Sequence, residues 1–321
     1  MWPLGIWADR TRAVTAQSVR QSRMWPKMYM YYHVVEGRMA YLETPDTIPL
    51  YYEEHGEGET ILLVHGWACN AEYWWQKNVP ALAEEYHVVA LDLRGHGLSG
   101  KTDDGHTLAQ YARDVRHLIE SLDLADVTFV GWSMGTHVAL SYFEQFGSAD
   151  VRAFAFVDMS PYWFSEEGWE YPVFGEFSPE ALAGVVETLR TDRSGFVKGQ
   201  LLGGFFVERP PAEIVDEMYA EMMKTPTSVG IAMAEAMATA DFRETVAEVD
   251  VPTLLAYGGQ GAIFPGPLGE WMHEQIPDSE LVTFEASSHC PFWEEPERFN
   301  RELAGFVAEL ADRDVGVTGA A

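Results

Sequence analysis

The sequence predicts an α/β fold in which a mostly parallel sheet is flanked by helices and a helical cap is inserted between two late strands. From Ile48 onward, short apolar runs alternate with helical patterns, which is typical of βαβ units and a parallel sheet. Between Ser160 and Val249 the pattern changes to helices alone. A purely helical insertion between two strands predicts a cap over the carboxyl edge of the sheet, where open α/β sheets bind ligands.

The strands are predicted where short apolar runs, typical of buried strands, end in turn residues. In chain order these runs are Ile61–Val64, His87–Leu91, Val127–Val130, Phe154–Val157, Thr253–Tyr257 and Glu280–Phe284. The helices are predicted where apolar residues recur at helical spacing, and the cap helices are separated by prolines. In chain order they are Leu108–Leu122, the segment after Gly135 through Phe143, Pro179–Arg190, Ala212–Lys224 and Ser228–Ala240.

A step in composition divides the chain near residue 38. Residues 1–38 carry six basic residues against two acidic ones, whereas the rest of the chain is strongly acidic. We expect residues 1–38 to be an appended, weakly ordered segment, with a basic amphipathic anchor as the alternative. The remaining chain is predicted to form a core over residues 39–160 and 249–311, a cap over residues 161–248 and a flexible tail over residues 312–321.

Composition narrows the class of protein. The chain has 321 residues, of which 47% are hydrophobic and 22% are charged, an ordinary globular mixture. No apolar run reaches the ~18 residues needed to span a bilayer, and two cysteines, Cys69 and Cys290, cannot form a disulfide framework. We therefore expect a cytoplasmic protein, monomeric or homodimeric, without a membrane partner.

The net charge of −29 is unusual for this length. It argues against nucleic acid as a partner, because the phosphates would be repelled. The acidic residues are spread along the chain, and a dispersed acidic surface on a protein with a large core suggests adaptation to high salt, where screening removes most self-repulsion. An ordinary acidic protein of a mesophile is the alternative.

The segment Gly131–Gly135 has the sequence G-W-S-M-G and lies between a predicted strand and a predicted helix. In a nucleophile elbow the turn is too tight for side chains at the flanking positions, so glycine occupies them and the serine projects above the sheet. A G-x-S-x-G string alone is a weak signal, because such strings also occur by chance. The alternative is that Ser133 has only a structural role in a loop turn. The correct flanking elements favour Ser133 as a nucleophile.

Three further motifs accompany this elbow in matching order. They are H-G-W at His65–Trp67, D-L-R-G-H-G-L-S at Asp92–Ser99, and S-H-C-P-F-W-E-E-P at Ser288–Pro296. Together with the elbow they resemble the α/β-hydrolase superfamily over nearly all of residues 48–311. The stretch Leu108–Gly135 is most similar to cofactor-free haloperoxidases and related esterases, and the H-G-W and G-W-S motifs are also similar to pimeloyl-carrier methyl-ester esterases.

The resemblance implies an oxyanion hole formed by the backbone N–H groups of Trp67 and Met134. Two fixed donors stabilise the tetrahedral intermediate of acyl transfer, each by roughly 3–4 kcal/mol. Ser133 at the nucleophile position excludes the halide-displacing and epoxide-opening branches of the superfamily, because their nucleophile is an aspartate.

A serine hydroxyl becomes a good nucleophile only when a neighbouring imidazole removes its proton. His289 follows the last predicted strand, which places it above the same sheet edge as Ser133, so it is the candidate base. His65 and His96 lie in turn motifs, where a hydrogen-bonded structural role is expected.

The family resemblance also implies a third catalytic residue, an acid that orients the histidine, and here the chain departs from the family pattern. The family's acid usually follows the strand that ends here at Tyr257, as G-x-x-D, but this chain has Gly261 at that position. Asp158 ends the strand after the nucleophile's helix, where lipases and haloalkane dehalogenases of this fold place their acid, and it keeps the order serine, acid, histidine. A Ser–His dyad, with Asp158 as a helix or loop cap, is the alternative.

Methionines recur at helical spacing in the predicted cap, either as ordinary cap core or as a flexible apolar wall for an acyl or aromatic substrate. The predicted pocket residues are Trp132, Trp163, Met218, Met222, Met233 and Met237. No metal or cofactor is expected, because no His, Cys, Asp and Glu cluster has metal-ligand spacing and no G-x-G-x-x-G or P-loop occurs.

These observations predict a metal-free serine hydrolase that cleaves a small or medium carboxylic ester or thioester through an acyl-enzyme intermediate. Perhydrolysis by the same three residues, with peroxide replacing water, is the first alternative. A lyase or C–C bond hydrolase on the same scaffold is another. From a different class comes a ligand-sensing homologue with very slow turnover, which would pass a signal to a protein partner.

Overall fold

The computed structural model describes residues 37–318, with side chains as far as Ala311. The predicted N-terminal segment, residues 1–38, lies outside the described residues except for its last two. Gly37 and Arg38 begin the first strand, where Arg38 pairs with Glu54 of the neighbouring strand. The core therefore begins two residues earlier than the composition step predicts.

Eight strands within residues 37–318 form one sheet. They are β1 (Gly37–Glu43), β2 (Pro49–His55), β3 (Thr60–Val64), β4 (His87–Leu91), β5 (Val127–Trp132), β6 (Val151–Val157), β7 (Thr253–Gly258) and β8 (Ser279–Phe284). Their spatial order is β1-β2-β4-β3-β5-β6-β7-β8. The β1–β2 and β2–β4 pairs are antiparallel and all the other pairs are parallel, which confirms the predicted mostly parallel sheet.

The sequence pattern does not predict β1 and β2. β1 lies at the sheet edge with most of its side chains exposed or half-exposed, so it carries no continuous apolar run. β5, by contrast, is buried on both faces along its whole length, as expected for a central parallel strand covered by helices. The strands with parallel neighbours, β3 to β8, are the ones that the sequence predicts.

Helices cover both faces of the sheet. Within the described part of the chain they are α1 (Glu72–Trp75), α2 (Val79–Leu82), α3 (Leu108–Ser121), α4 (Met134–Phe146), α5 (Pro179–Thr191), α6 (Arg193–Gly203), α7 (Ala212–Met222), α8 (Thr227–Thr239), α9 (Arg243–Glu248), α10 (Leu268–Gln275), α11 (Pro291–Glu294) and α12 (Pro296–Thr318). None of these helices is long and apolar enough to cross a membrane.

The last helix corrects the predicted tail. α12 continues to Thr318, whereas the sequence analysis places a flexible tail over residues 312–321. Residues 306–315 contain no proline or glycine that would end the helix, so the backbone continues its helical turns.

Five helices, α5 to α9, lie between β6 and β7 in the chain. The sequence analysis misses α6 and α9. α6 contains two interior glycines that lower its helix propensity, but the Asp192 carboxylate caps it by accepting from the Gly195 N–H at 2.9 Å. Arg243 forms ion pairs with Asp241 and Glu166. Because Glu166 lies near the start of the insertion and Arg243 near its end, these ion pairs connect the two ends of the insertion.

The carboxyl ends of β3, β5, β6 and β7 meet at one edge of the sheet because these strands are parallel neighbours. The residues that follow them in sequence are therefore close in space. This edge carries the elbow, the loop after β3 and Asp158.

Candidate active site

Ser133 occupies a strained turn between β5 and α4. Its φ of +54° lies in the left-handed region that side chains disfavour. The flanking glycines make this turn possible: a Cβ on Gly131 would lie 2.4 Å from the carbonyl oxygen of Gly135, and a Cβ on Gly135 would lie 2.3 Å from that of Val64. The geometry that the G-x-S-x-G string predicts is therefore present at Ser133.

The loop after β3 approaches the serine closely. A Cβ on Gly66 would lie 3.2 Å from the Ser133 Cβ, closer than ordinary van der Waals contact, so glycine lets the backbone pass here without displacing its neighbours. Met134 is the first residue of α4, where the N–H has no acceptor within the helix. The Trp67 N–H donates to no other group in residues 37–311. Two backbone donors are thus available on either side of the elbow.

His289 and Asp158 form a buried hydrogen-bonded pair. The distance from His289 Nδ1 to Asp158 Oδ2 is 2.6 Å, and both side chains are at most 3% exposed. The other Asp158 oxygen accepts from the Gly258 N–H at 3.1 Å. Trp132 fixes the histidine backbone, because its indole N–H donates to the His289 carbonyl at 2.8 Å. Since Nδ1 faces the carboxylate, Nε2 is the nitrogen left to take a proton from a serine.

Asp158 has a left-handed backbone with φ of +45° at the carboxyl end of β6. Its N–H donates to the Ala256 carbonyl of β7 at 3.0 Å, so strand pairing holds the residue in place. The position that usually carries the family's acid is closed to a side chain, because a Cβ on Gly261 would lie 2.3 Å from the Phe264 carbonyl oxygen. Among the described residues, Asp158 is the carboxylate that contacts His289.

His65 and His96 make structural hydrogen bonds. His65 Nε2 accepts from the Leu93 N–H at 3.0 Å, so Nδ1 carries the proton and donates to the Gly66 carbonyl at 2.8 Å. Complete burial lowers the pKa of His65 to about 4, which keeps the imidazole neutral. His96 is likewise buried and donates from Nδ1 to the Arg94 carbonyl at 2.9 Å. His65 thereby supports the loop that carries Trp67.

Ser133 and His289 line one cavity of about 80 Å³ between the sheet edge and the helices of the insertion. Its walls are mainly aromatic and aliphatic, as in many small-molecule sites. Of the predicted pocket residues, Trp132, Trp163 and Met237 line this cavity.

Three predicted pocket residues do not line the cavity: Met218, Met222 and Met233 are buried in the hydrophobic core instead. The Tyr73 hydroxyl donates to the Met218 carbonyl and Arg193 donates to that of Met222, so this end of α7 packs on α6 and on the core beneath it. Helical spacing alone cannot tell which buried face meets a cavity.

Several cavity residues have no signal in the sequence analysis. The principal ones are Phe177, Phe196, Gln200, Phe205, Ile263 and Phe264. The rings of Trp132, Phe205 and Phe264 lie 5.5, 5.5 and 5.6 Å from the His289 imidazole, centroid to centroid. These rings limit the access of water to the histidine. The aromatic pair at 205–206, directly after a helix end, is the one cue that could have identified part of this wall.

The Trp67 side chain connects the loop after β3 to the insertion. Its indole N–H donates to the Gly230 carbonyl of α8 at 2.7 Å, and its ring packs edge-on against Phe196 of α6. A Cβ on Gly230 would lie 3.3 Å from the Trp67 ring, so the helix approaches the indole closely. The Trp67 side chain is therefore held by two helices of the insertion.

The two cysteines are fully buried, and burial raises the pKa of both thiols, which keeps them in the unreactive protonated form. Within residues 37–311, no group of three or more His, Cys, Asp and Glu side chains is arranged to hold a metal ion.

The chain is similar to known hydrolases in both sequence and structure. The family model described as the alpha/beta hydrolase fold matches residues 59–296. A non-heme chloroperoxidase of Kitasatospora aureofaciens is 28% identical, over 84% of this chain and 99% of the relative. A pimeloyl-acyl-carrier-protein methyl ester esterase of Vibrio cholerae is 27% identical, over 81% of this chain and 99% of the relative. A solved esterase from Exiguobacterium antarcticum has a TM-score of 0.79 at 26% identity, covering 84% of this chain and 99% of that chain.

Proposed function

Since the chain belongs to the α/β-hydrolase family, we propose that it is a serine hydrolase that cleaves small carboxylic esters or thioesters through an acyl-enzyme intermediate, a proposal supported by its similarity to esterases. The observation that carries the proposal is the buried His289–Asp158 hydrogen bond at the wall of the cavity that also exposes Ser133. Nucleophile, base and orienting acid are thus supplied by three loops at one sheet edge.

In the first half of the reaction, Ser133 Oγ attacks the ester carbonyl while His289 Nε2 removes its proton. Asp158 stabilises the resulting imidazolium and keeps Nε2 directed at the serine. The negative charge on the former carbonyl oxygen is stabilised by the backbone N–H groups of Trp67 and Met134. Collapse of this intermediate expels the alcohol or thiol, which takes the proton from His289, and leaves an acyl group on Ser133.

In the second half, a water molecule gives a proton to His289 and attacks the acyl carbonyl. The carboxylic acid leaves, and Ser133 recovers its proton from the histidine. Every proton transfer passes through His289 Nε2, so no metal or cofactor is required in this scheme.

The size of the cavity argues for a short acyl group. Its volume of about 80 Å³ is roughly half of the ~150 Å³ that holds a benzene ring in an engineered apolar cavity. The rate of cleavage is therefore expected to fall as the acyl chain of the ester becomes longer. We expect p-nitrophenyl acetate to butyrate to be cleaved faster than esters of eight or more carbons, assayed in both low and molar salt.

A fluorophosphonate probe tests the nucleophile directly. The wild-type protein should be labelled, and Ser133→Ala should not be labelled and should lose several orders of magnitude in kcat, because nucleophile and base act as a unit. Ser148→Ala, a partly exposed serine just beyond α4, is the matched control and should keep both properties. Labelling that survives in Ser133→Ala would refute the proposal.

Perhydrolysis is the second candidate, because a relative at 28% identity is a non-heme chloroperoxidase. Hydrogen peroxide would replace water in the second half of the reaction and release a peracid from the same acyl-enzyme. Bromination of monochlorodimedone in acetate buffer with peroxide and bromide measures this activity, because the released peracid oxidises bromide to the brominating species. Loss of both activities in Ser133→Ala would place them on one acyl-enzyme.

A further inference from the structure

Polar side chains are few on the wall of the cavity. Apart from Ser133 and His289, Gln200 is the one residue with a carboxamide or hydroxyl among those that line it in the described chain. No lysine, arginine, aspartate or glutamate of residues 37–311 lines the cavity. Sites of this kind use a small number of polar groups to orient a ligand.

Gln200 lies near the end of α6, and its carboxamide makes no hydrogen bond to any other described residue. The carboxamide oxygen lies 2.9 Å from the place that a Cβ on Gly204 would take, so the glycine provides room for it. The Gly204 carbonyl accepts from the Ser288 hydroxyl at 3.2 Å, next to His289. The turn that carries Gln200 is therefore tied to the segment that carries the candidate base.

A second unused donor lies on the same wall. The indole N–H of Trp163 is buried and has no acceptor within the described residues. The other two indole N–H groups of the cavity are already used, because Trp67 donates to Gly230 and Trp132 donates to His289. A buried donor without an acceptor is unfavourable and rare in native proteins, so an acceptor oxygen that reaches this indole N–H from the cavity would satisfy it.

We infer that the preferred ester, cleaved as proposed above, carries a neutral hydroxyl or carbonyl oxygen on its short acyl group, and that Gln200 and Trp163 bind this oxygen. The carboxamide can donate to it or accept from it, whereas the indole can only donate. The group is neutral because the described cavity wall offers no charge to pair with an ion, and an unpaired ion in an apolar site is costly. Hydroxyacyl and oxoacyl esters of about four carbons meet these conditions.

Two methyl esters of the same shape test the inference. Methyl 3-hydroxybutanoate and methyl 3-methylbutanoate differ by a hydroxyl in place of a methyl group. The ratio of their kcat/KM values, followed by acid release in a pH-stat, should be at least about fivefold in favour of the hydroxy ester, which corresponds to one net hydrogen bond. Gln200→Met should bring this ratio close to 1, and Trp163→Phe, which keeps an aromatic ring, should lower it.

Gln145→Met is the matched control, because Gln145 is exposed on α4 and far along the helix from Ser133. It should keep both the ratio and the activity. A wild-type ratio near 1, a ratio that persists in both cavity variants, or no hydrolysis of the hydroxy ester by the wild type would overturn the inference.

These failures are distinguishable from failure of the proposed function. If the nucleophile is assigned wrongly, fluorophosphonate labelling survives in Ser133→Ala whatever the ester ratio. If only the recognition of the acyl oxygen is wrong, labelling of Ser133 is intact in Gln200→Met and the ratio does not change. Labelling of the cavity variants also shows that they are folded around an intact elbow.

Discussion

Replacement of Asp158 by asparagine tests how the candidate triad is oriented. One Asp158 oxygen accepts from the Gly258 N–H at 3.1 Å and the other faces His289 Nδ1 at 2.6 Å. In Asp158→Asn, the Gly258 N–H holds the amide oxygen on its side, which turns the amide NH₂ toward His289. Because an NH₂ group cannot accept, the imidazole must expose a bare Nδ1 to it and carry its proton on Nε2. That tautomer cannot remove a proton from Ser133.

The expected loss follows from the tautomer rather than from a loss of shape. The corresponding change in a serine protease triad lowers kcat by about 10⁴-fold, and at about 1.36 kcal/mol for each factor of ten this equals about 5.4 kcal/mol of transition-state stabilisation. The backbone cost should be small, because asparagine tolerates the left-handed conformation at φ of +45° as well as aspartate does. Loss of activity should therefore occur without unfolding.

The assay is kcat on p-nitrophenyl acetate across pH 6–9, together with the melting temperature. Asp123→Asn is the matched control, because Asp123 is exposed and has a similar left-handed φ of +51°. It should keep wild-type activity. An Asp158→Asn protein that retains more than a tenth of wild-type kcat would refute the reasoning and favour a Ser–His dyad.

Three further predictions concern stability. With a net charge of −29, the melting temperature should rise from low to molar potassium chloride as repulsion is screened, and a flat profile would contradict adaptation to salt. Gly135→Ala should lower the free energy of unfolding by more than about 2 kcal/mol and abolish fluorophosphonate labelling, because its Cβ would meet the Val64 carbonyl at 2.3 Å. Gly184→Ala, in open space on α5, is the control and should raise the free energy of unfolding by about 0.5–1 kcal/mol. Equal effects of the two substitutions would refute the argument. Burial and neighbouring carboxylates raise the pKa of Glu72 from 4.5 to about 8, so ionisation disfavours the folded state as pH rises through this window. Glu72→Gln should therefore gain melting temperature over wild type from pH 5 to pH 9, whereas exposed Glu84→Gln should show no trend, and a constant difference for Glu72→Gln would count against the shift.

The elements that the sequence predicts include the buried strands at the centre of the sheet. β4 is predicted with its observed bounds, and β5 is predicted from the apolar run that begins it, because both are covered on their two faces. β1 is not predicted, since an exposed edge strand leaves no periodic pattern that distinguishes it from a loop. Helices with interior glycines, such as α6, are missed for a similar reason, because tertiary contacts and a cap stabilise them rather than propensity.

In the candidate site, the reacting residues are predicted from the sequence but most of the cavity wall is not. Strand ends of a parallel sheet meet at one edge, and the resemblance to lipases of this fold, together with chain order, predicts Asp158 as the acid beside His289. Their hydrogen bond is observed. The cavity wall depends instead on how the inserted helices rest on that edge, which no local pattern encodes. Met233 and Met237 show this: they lie one turn apart on α8, yet only Met237 lines the cavity.

The transfer of the acid to the end of β6 has a consequence for the loop after β7. That loop no longer carries a group on which proton transfer depends, and two of its residues, Ile263 and Phe264, line the cavity instead. Its backbone folds tightly over Gly261, where no side chain fits. Under the proposed mechanism, chemistry and selectivity therefore reside in separate strand-end loops, so mutations at Ile263 and Phe264 can reshape the acyl site while the three reacting residues are unchanged. For directed evolution of new ester preferences, these two positions are the ones to randomise first.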